Sequence, residues 1–287
     1  MFEKMVLLLD TSELSEAVIP YALYLANKMG SELDVVNVIE SEYISARLIK
    51  AYLDKIVEEI KEPGIKKKRS VVLRGNAADQ ILDYIEINKI DIVAMTSRGF
   101  SGIKRWVIGS TATKIICGTH IPVLLIHSKE KTLPLVQAVS FNHILLPLDG
   151  SRTAEETFGY AERIVSKQEG KVSLLRVVPP VIDQYAGPDD SYVVGYTEKV
   201  LQALQEEAED YLQQTAKSFH RKGISVDTTM VVGYPATEIL EYIEKQKTDL
   251  VIMSTHGRTG LGRCILGSVA DKILHSVNIP LLLIRTH

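Results

Sequence analysis

The chain has 287 residues, 46% of them hydrophobic and 24% charged, with a formal net charge of −3. That is the composition of an ordinary globular protein, and the length divides into two domains of about 130–150 residues, each large enough to bury a core. The small negative charge argues against a general attraction to nucleic acid or anionic membrane. Two cysteines, Cys117 and Cys264, form no CxxC pair, which argues against a disulfide scaffold or zinc site and fits a reducing compartment.

The N-terminus, MFEKMVLLLD, holds only five consecutive apolar residues behind charged ones. That is neither a signal peptide nor a membrane span, so a cytoplasmic location is expected. Residues 5–9, apolar throughout and ending at Asp10, read as a strand buried on both faces. Ser12 is the natural cap of the next helix, whose apolar positions run from Ala17 to Ala26 and stop at Gly30. A strand at 32–39, a helix near 45–61, a strand at 70–74, a helix at 77–88 and a strand at 91–95 follow. The basic run Lys66–Lys67–Lys68–Arg69 reads as a solvated strand edge rather than a binding patch. A glycine loop then leads to a helix at 110–117 and a strand at 123–127, and residues 128–141 read as a linker.

From there the order repeats. Asp10 and Asp149, Ser12 and Ser151, and Val38 and Val177 each lie 139 apart, while Gly99 and Gly257, Gly109 and Gly267, and Ser110 and Ser268 lie 158 apart. The second copy thus carries 19 extra residues, expected as an exposed loop within 179–199, where Pro179, Pro180, Gly187 and Pro188 cluster. The period is a whole domain, so the repeat means two domains, 1–128 and 142–287, rather than a solenoid. Strand and helix alternate throughout, which predicts an α/β class with two doubly wound, mostly parallel, five-stranded open sheets of Rossmann-like form.

The stretch carrying chemistry is Ser254-Thr-His-Gly257, nine residues, then Gly267-Ser268-Val269, between an apolar strand at 250–253 and a helix at 269–276. Glycines let the chain turn sharply and let a ligand approach the backbone. A helix N-terminus beyond them offers free N–H groups and a dipole of about half a positive charge to phosphate. With Asp149 and Val177 at neighbouring strand ends, the switch point of such a sheet makes a nucleotide site. There the carboxylate accepts from a ribose hydroxyl or base amine and the valine packs on the base. A glycine turn that only packs helix on sheet is the competing reading.

The motif Gly-x-x-Gly, nine residues, Gly-Ser/Thr, with an Asp ending the first strand, closely resembles the ATP-binding branch of the universal stress protein family, and the likeness covers both copies. Ser254 and Thr96 stand where the motif has its first glycine. The resemblance implies the universal stress protein fold, with tandem domains packed as a pseudo-dimer and an adenine nucleotide as ligand: ATP, ADP or AMP, with Mg2+ carried in by the phosphates. The residues it implies as nucleotide-binding in the second copy are Pro147, Leu148, Asp149, Val177, Met253, Ser254, His256, Gly257, Arg258, Gly260, Gly267, Ser268 and Val269. In the first copy they are Leu9, Asp10, Val38, Met95, Thr96, Gly99, Gly109, Ser110 and Thr111. It also implies a stress-response regulator acting on a protein partner, and an association through the last strands, either within one chain or as a homodimer.

Catalysis is not expected. His256 has Arg98 as its counterpart, which cannot serve as a general base; Arg105 and Arg263 correspond and read equally well as phosphate ligands or as a solvated face. The sequence holds no P-loop, GxGxxG, kinase set or GxSxG elbow. No nucleophile, base and orienter come together, and no metal-ligand spacing occurs. The expectation is a binding and signalling protein with slow ATP hydrolysis at most; a scaffold that binds no nucleotide is the alternative.

Overall fold

A computed structural model of the chain describes residues 2–97, 108–127, 139–165, 170–180, 198–255 and 266–285. The first half runs β1 (Lys4–Leu8), α1 (Glu13–Glu16), α2 (Ile19–Met29), β2 (Glu32–Ile39), α3 (Ala46–Glu59), β3 (Lys67–Arg74), α4 (Ala77–Asn88), β4 (Ile92–Thr96), α5 (Ser110–Gly118) and β5 (Val123–Ile126). The second half runs β6 (His143–Leu148), α6 (Arg152–Glu155), α7 (Phe158–Ile164), β7 (Lys171–Val178), α8 (Glu198–His220), β8 (Ser225–Val232), α9 (Pro235–Gln246), β9 (Leu250–Ser254), α10 (Ser268–Ser276) and β10 (Leu281–Ile284). The α/β class and the parallel sheet of each half are as expected.

The two five-stranded sheets are joined edge to edge. All ten strands form one sheet in the order β3-β2-β1-β4-β5-β10-β9-β6-β7-β8. Within each half the pairs are parallel, and β5 meets β10 antiparallel, with Leu124 opposite Leu282. Of the two expected associations through the last strands, this is the one within the chain. Both last strands are hydrogen-bonded on both sides, to β4 and β9 as well as to each other, so neither is an open edge for a homodimer; the outer edges are β3 and β8.

Helices α2, α3, α7 and α8 cover one face and α4, α5, α9 and α10 the other, and each of the two cores takes residues from both halves. The halves also exchange aromatics. Phe2 stacks toward Tyr160 at 5.6 Å and Tyr21 on Phe141 at 6.0 Å between ring centroids. The 139 offset sets Phe2 against Phe141 and Tyr21 against Tyr160, so it exchanges one pair for the other and the contact obeys the pseudo-two-fold. Offset aromatic pairs of this kind add about 1 kcal/mol each beyond their buried area.

Local chemistry accounts for where the elements differ from expectation. The first helix is broken in both halves, α1 from α2 and α6 from α7, and Pro20 lies in the first turn of α2, where its missing N–H is not needed. Ser12 does cap α1, accepting the Ser15 N–H at 3.1 Å, and Gly30 ends α2 at φ 67°. β3 starts at Lys67, so part of the basic run lies inside the edge strand. Its Arg69 is not merely solvated: Nε and Nη2 donate to the two oxygens of buried Asp34 at 2.6 and 2.8 Å. Tyr84 donates to the same carboxylate at 2.8 Å, and burial with this bond pushes its phenol up to about 12. α8 has 23 residues against 14 in α3, and it begins at Glu198, inside the stretch expected to be loop. Cys117 in α5 is disulfide-bonded. This removes the cysteine argument against a disulfide and for a reducing compartment, since linear spacing does not record what a fold brings together. Cys264 lies outside the described residues. Among the described residues, no helix is long and apolar enough to cross a membrane.

His143 is buried at the start of β6, with Nδ1 bonded to the Gln246 carbonyl at 3.0 Å and Nε2 to the Ser173 hydroxyl at 2.8 Å. Burial first, and nearby Lys171 second, hold its folded-state pKa below the ordinary value. The unfolded chain therefore takes up this proton first as pH falls through about 6.5, and stability declines until the folded pKa is passed. Urea unfolding at about pH 7.5 and 5.5 should show the loss, and His143→Gln should shrink it. An identical pH dependence in the variant would refute the assignment.

Candidate functional site

In each half the strand order reverses between the first and fourth strands, β1 and β4 or β6 and β9, and a pocket opens at their C-terminal ends. Because the halves run antiparallel, the two pockets lie on opposite edges of the sheet. The N-terminal pocket encloses about 370 Å³ and the C-terminal one about 230 Å³.

The carboxylates come from the turn after the first strand. Asp10 Oδ1 accepts the Ser12 N–H at 3.0 Å and the Ser12 hydroxyl at 2.5 Å; Asp149 Oδ1 accepts the same groups of Ser151 at 2.9 and 2.5 Å. Each serine in turn caps the short helix that follows. The chain reaches that cap through the left-handed region, at Thr11 (φ 70°) in one half and Gly150 (φ 79°) in the other. A Cβ on Gly150 would lie 2.6 Å from an Arg176 nitrogen, so a side chain there would have to displace the Arg176 guanidinium.

The glycine loops are closed at their base. Ser97 and Thr255 take up positions beside β5 and β10 through N–H bonds of 2.9 Å to Ile126 and Ile284. Their carbonyls then accept the N–H groups of Gly109 at 2.8 Å and Gly267 at 2.9 Å. These glycines are the N-caps of α5 and α10, and neither helix has a side-chain cap. The first-turn N–H groups, those of Ser110 and Thr111 or Ser268 and Val269, thus precede the intrahelical ladder and open onto the pocket. Their partial positive charge suits an anion. Asp271 in the first turn of α10 tempers that charge; α5 has no acid there.

Leu9, Asp10, Val38, Met95, Thr96, Gly109, Ser110 and Thr111 all line the N-terminal pocket. Pro147, Leu148, Asp149, Val177, Met253, Ser254, Gly267, Ser268 and Val269 all line the C-terminal one. Gly99, His256, Gly257, Arg258 and Gly260 lie outside the described residues, as do Arg98, Arg105, Trp106 and Arg263. Sequence reasoning missed the contribution of the α4 and α9 starts, Ala77 with Ile81 and Pro235 with Ile239, which wall each pocket opposite the first strand. It also missed Ser15, Asn37 and Glu40 in the first pocket. The offset that paired the glycines pairs Ile81 with Ile239 as well, so the signal was present but unmarked by any chemical motif.

A model of the universal stress protein family matches residues 1–127 and 140–285. A universal stress protein of Methanocaldococcus jannaschii is 32% identical over 145 residues, covering 50% of this chain and 82% of the relative. One from Mycobacterium tuberculosis is 26% identical over 226 residues, 77% of this chain and 71% of the relative. Among solved structures, a universal stress protein from Archaeoglobus fulgidus superposes with a TM-score of 0.70 at 22% identity, covering 99% of each chain.

Proposed function

The chain belongs to the universal stress protein family, and we propose that it is a nucleotide-binding regulator whose C-terminal pocket takes ATP or another adenine nucleotide. The N-terminal pocket takes a nucleotide as well. One observation carries the reading: both halves join a strand-end carboxylate, an apolar floor and an uncapped helix N-terminus in a pocket at the switch point.

The donor set fits the ligand chemically. Asp149 accepts from a ribose hydroxyl or base amine, Val177 packs on the base, and the N–H groups of Ser268 and Val269 receive phosphate oxygens. A pocket of about 230 Å³ holds the nucleoside, while the phosphates extend over the start of α10. A divalent cation accompanies the phosphates rather than being caged by protein side chains. Among the described lining residues no histidine or cysteine stands ready as base or nucleophile, which favours signalling over turnover, with hydrolysis slow at most.

Heat extraction of the purified protein followed by mass spectrometry should release adenine nucleotide, and calorimetry with ATP and magnesium should show saturable heat. If both come back empty, the scaffold reading replaces this one.

A further inference from the structure

We propose that the N-terminal pocket selects a guanine base and that Glu40 is the residue that reads it; the inference rests on the nucleotide reading of that pocket. The two pockets match at the phosphate end and differ at the other. Glu40, the residue after β2, lines the N-terminal pocket, and its Oε1 accepts the N–H of Ala77, the first residue of α4, at 2.8 Å. The 139 and 158 offsets set Pro179 and Pro235 at these two positions in the second half. That half therefore has neither the carboxylate nor the N–H that fixes it. Ser15, also in the N-terminal lining, likewise has an alanine, Ala154, as its counterpart.

The location suits a base rather than a phosphate. Gly109 and Ser110 bound the pocket beyond β4, Glu40 bounds it beyond β2, and β1 with Asp10 lies between. Strands are spaced by about 4.8 Å, so the two ends stand about 10 Å apart, on the scale of a nucleoside monophosphate. Val38, two residues before Glu40 and on the same side of the chain, floors the pocket beside it. A ligand with phosphate on α5 thus turns the far edge of its base toward Glu40.

A carboxylate only accepts hydrogen bonds. Guanine presents adjacent N1–H and N2–H donors, which match its two oxygens; Oε1 keeps a second lone pair after binding Ala77. Adenine presents one amine beside the N1 lone pair, which a carboxylate repels. A bidentate pair of this kind discriminates between bases by about tenfold or more.

The test is made on the full chain with the C-terminal pocket silenced by Gly267→Val, or by Asp149→Ala should the first variant fold poorly. Calorimetry should show GMP binding about tenfold tighter than AMP. Adding Glu40→Gln should erase that ratio. Glutamine keeps the size and an acceptor for the Ala77 N–H, so a matching thermal melt certifies the fold. AMP binding as tightly as GMP, or a preference that survives Glu40→Gln, would overturn the base assignment and leave the nucleotide reading standing. Absence of binding by either nucleotide would overturn both for this pocket.

Discussion

Asp149→Ala combined with Gly267→Val is expected to lower ATP affinity at the C-terminal pocket by at least about a hundredfold. A hydrogen bond to a charged group contributes about 1.5–3 kcal/mol, and the carboxylate offers two oxygens to sugar or base. The valine branches at the N-cap of α10, over the N–H groups that receive phosphate. Together these losses reach about 3–5 kcal/mol. Gly267 has φ −58°, which any residue adopts, so the backbone tolerates the change. Asp149→Asn separates turn from ligand, because it retains an acceptor for the Ser151 N–H. Calorimetry with ATP and magnesium decides the matter, and an affinity within about threefold of the parent would sink the assignment.

The second large effect concerns the junction. Leu282 is fully buried, faces Leu124 across β5 and β10, and belongs to the core shared by both halves. Leu282→Asp puts an unpaired carboxylate there and should cost more than about 4 kcal/mol, a large share of the 5–15 kcal/mol that holds a typical domain together. The milder Leu282→Ala should cost about 2–5 kcal/mol. Urea unfolding reads both. Since each core runs through both halves, the parent should unfold in one transition, and an unchanged midpoint in Leu282→Asp would show that the junction carries little of the stability.

Much of this arrangement was legible in the amino-acid order. The bounds of β2 and α4 follow from apolar runs and caps, and the paired offsets located both pockets through Asp10, Asp149, Gly109 and Gly267. What escaped depends on elements far apart in the chain. A basic run does not say which of its members meets a buried acid, so Arg69 was read as solvated although Asp34, 35 residues away, binds it. Glu40 carries no motif, and its place in the pocket comes from the α4 N-terminus packing beside it. Phe2 and Tyr160 pair only because β5 and β10 join the halves.

Carrying both halves on one chain, paired through β5 and β10, changes what dilution and heredity can do to this molecule. In a dimer of separate copies the meeting surface must match itself, and it comes apart as concentration falls. Here the partner arrives with the chain, so the pairing is independent of concentration. Self-matching is no longer required, and each half always meets the same, different neighbour. A change such as glutamate at position 40 against proline at 179 alters one pocket and leaves the other untouched. Every molecule then carries one mouth of each kind, in a fixed ratio, facing opposite ways.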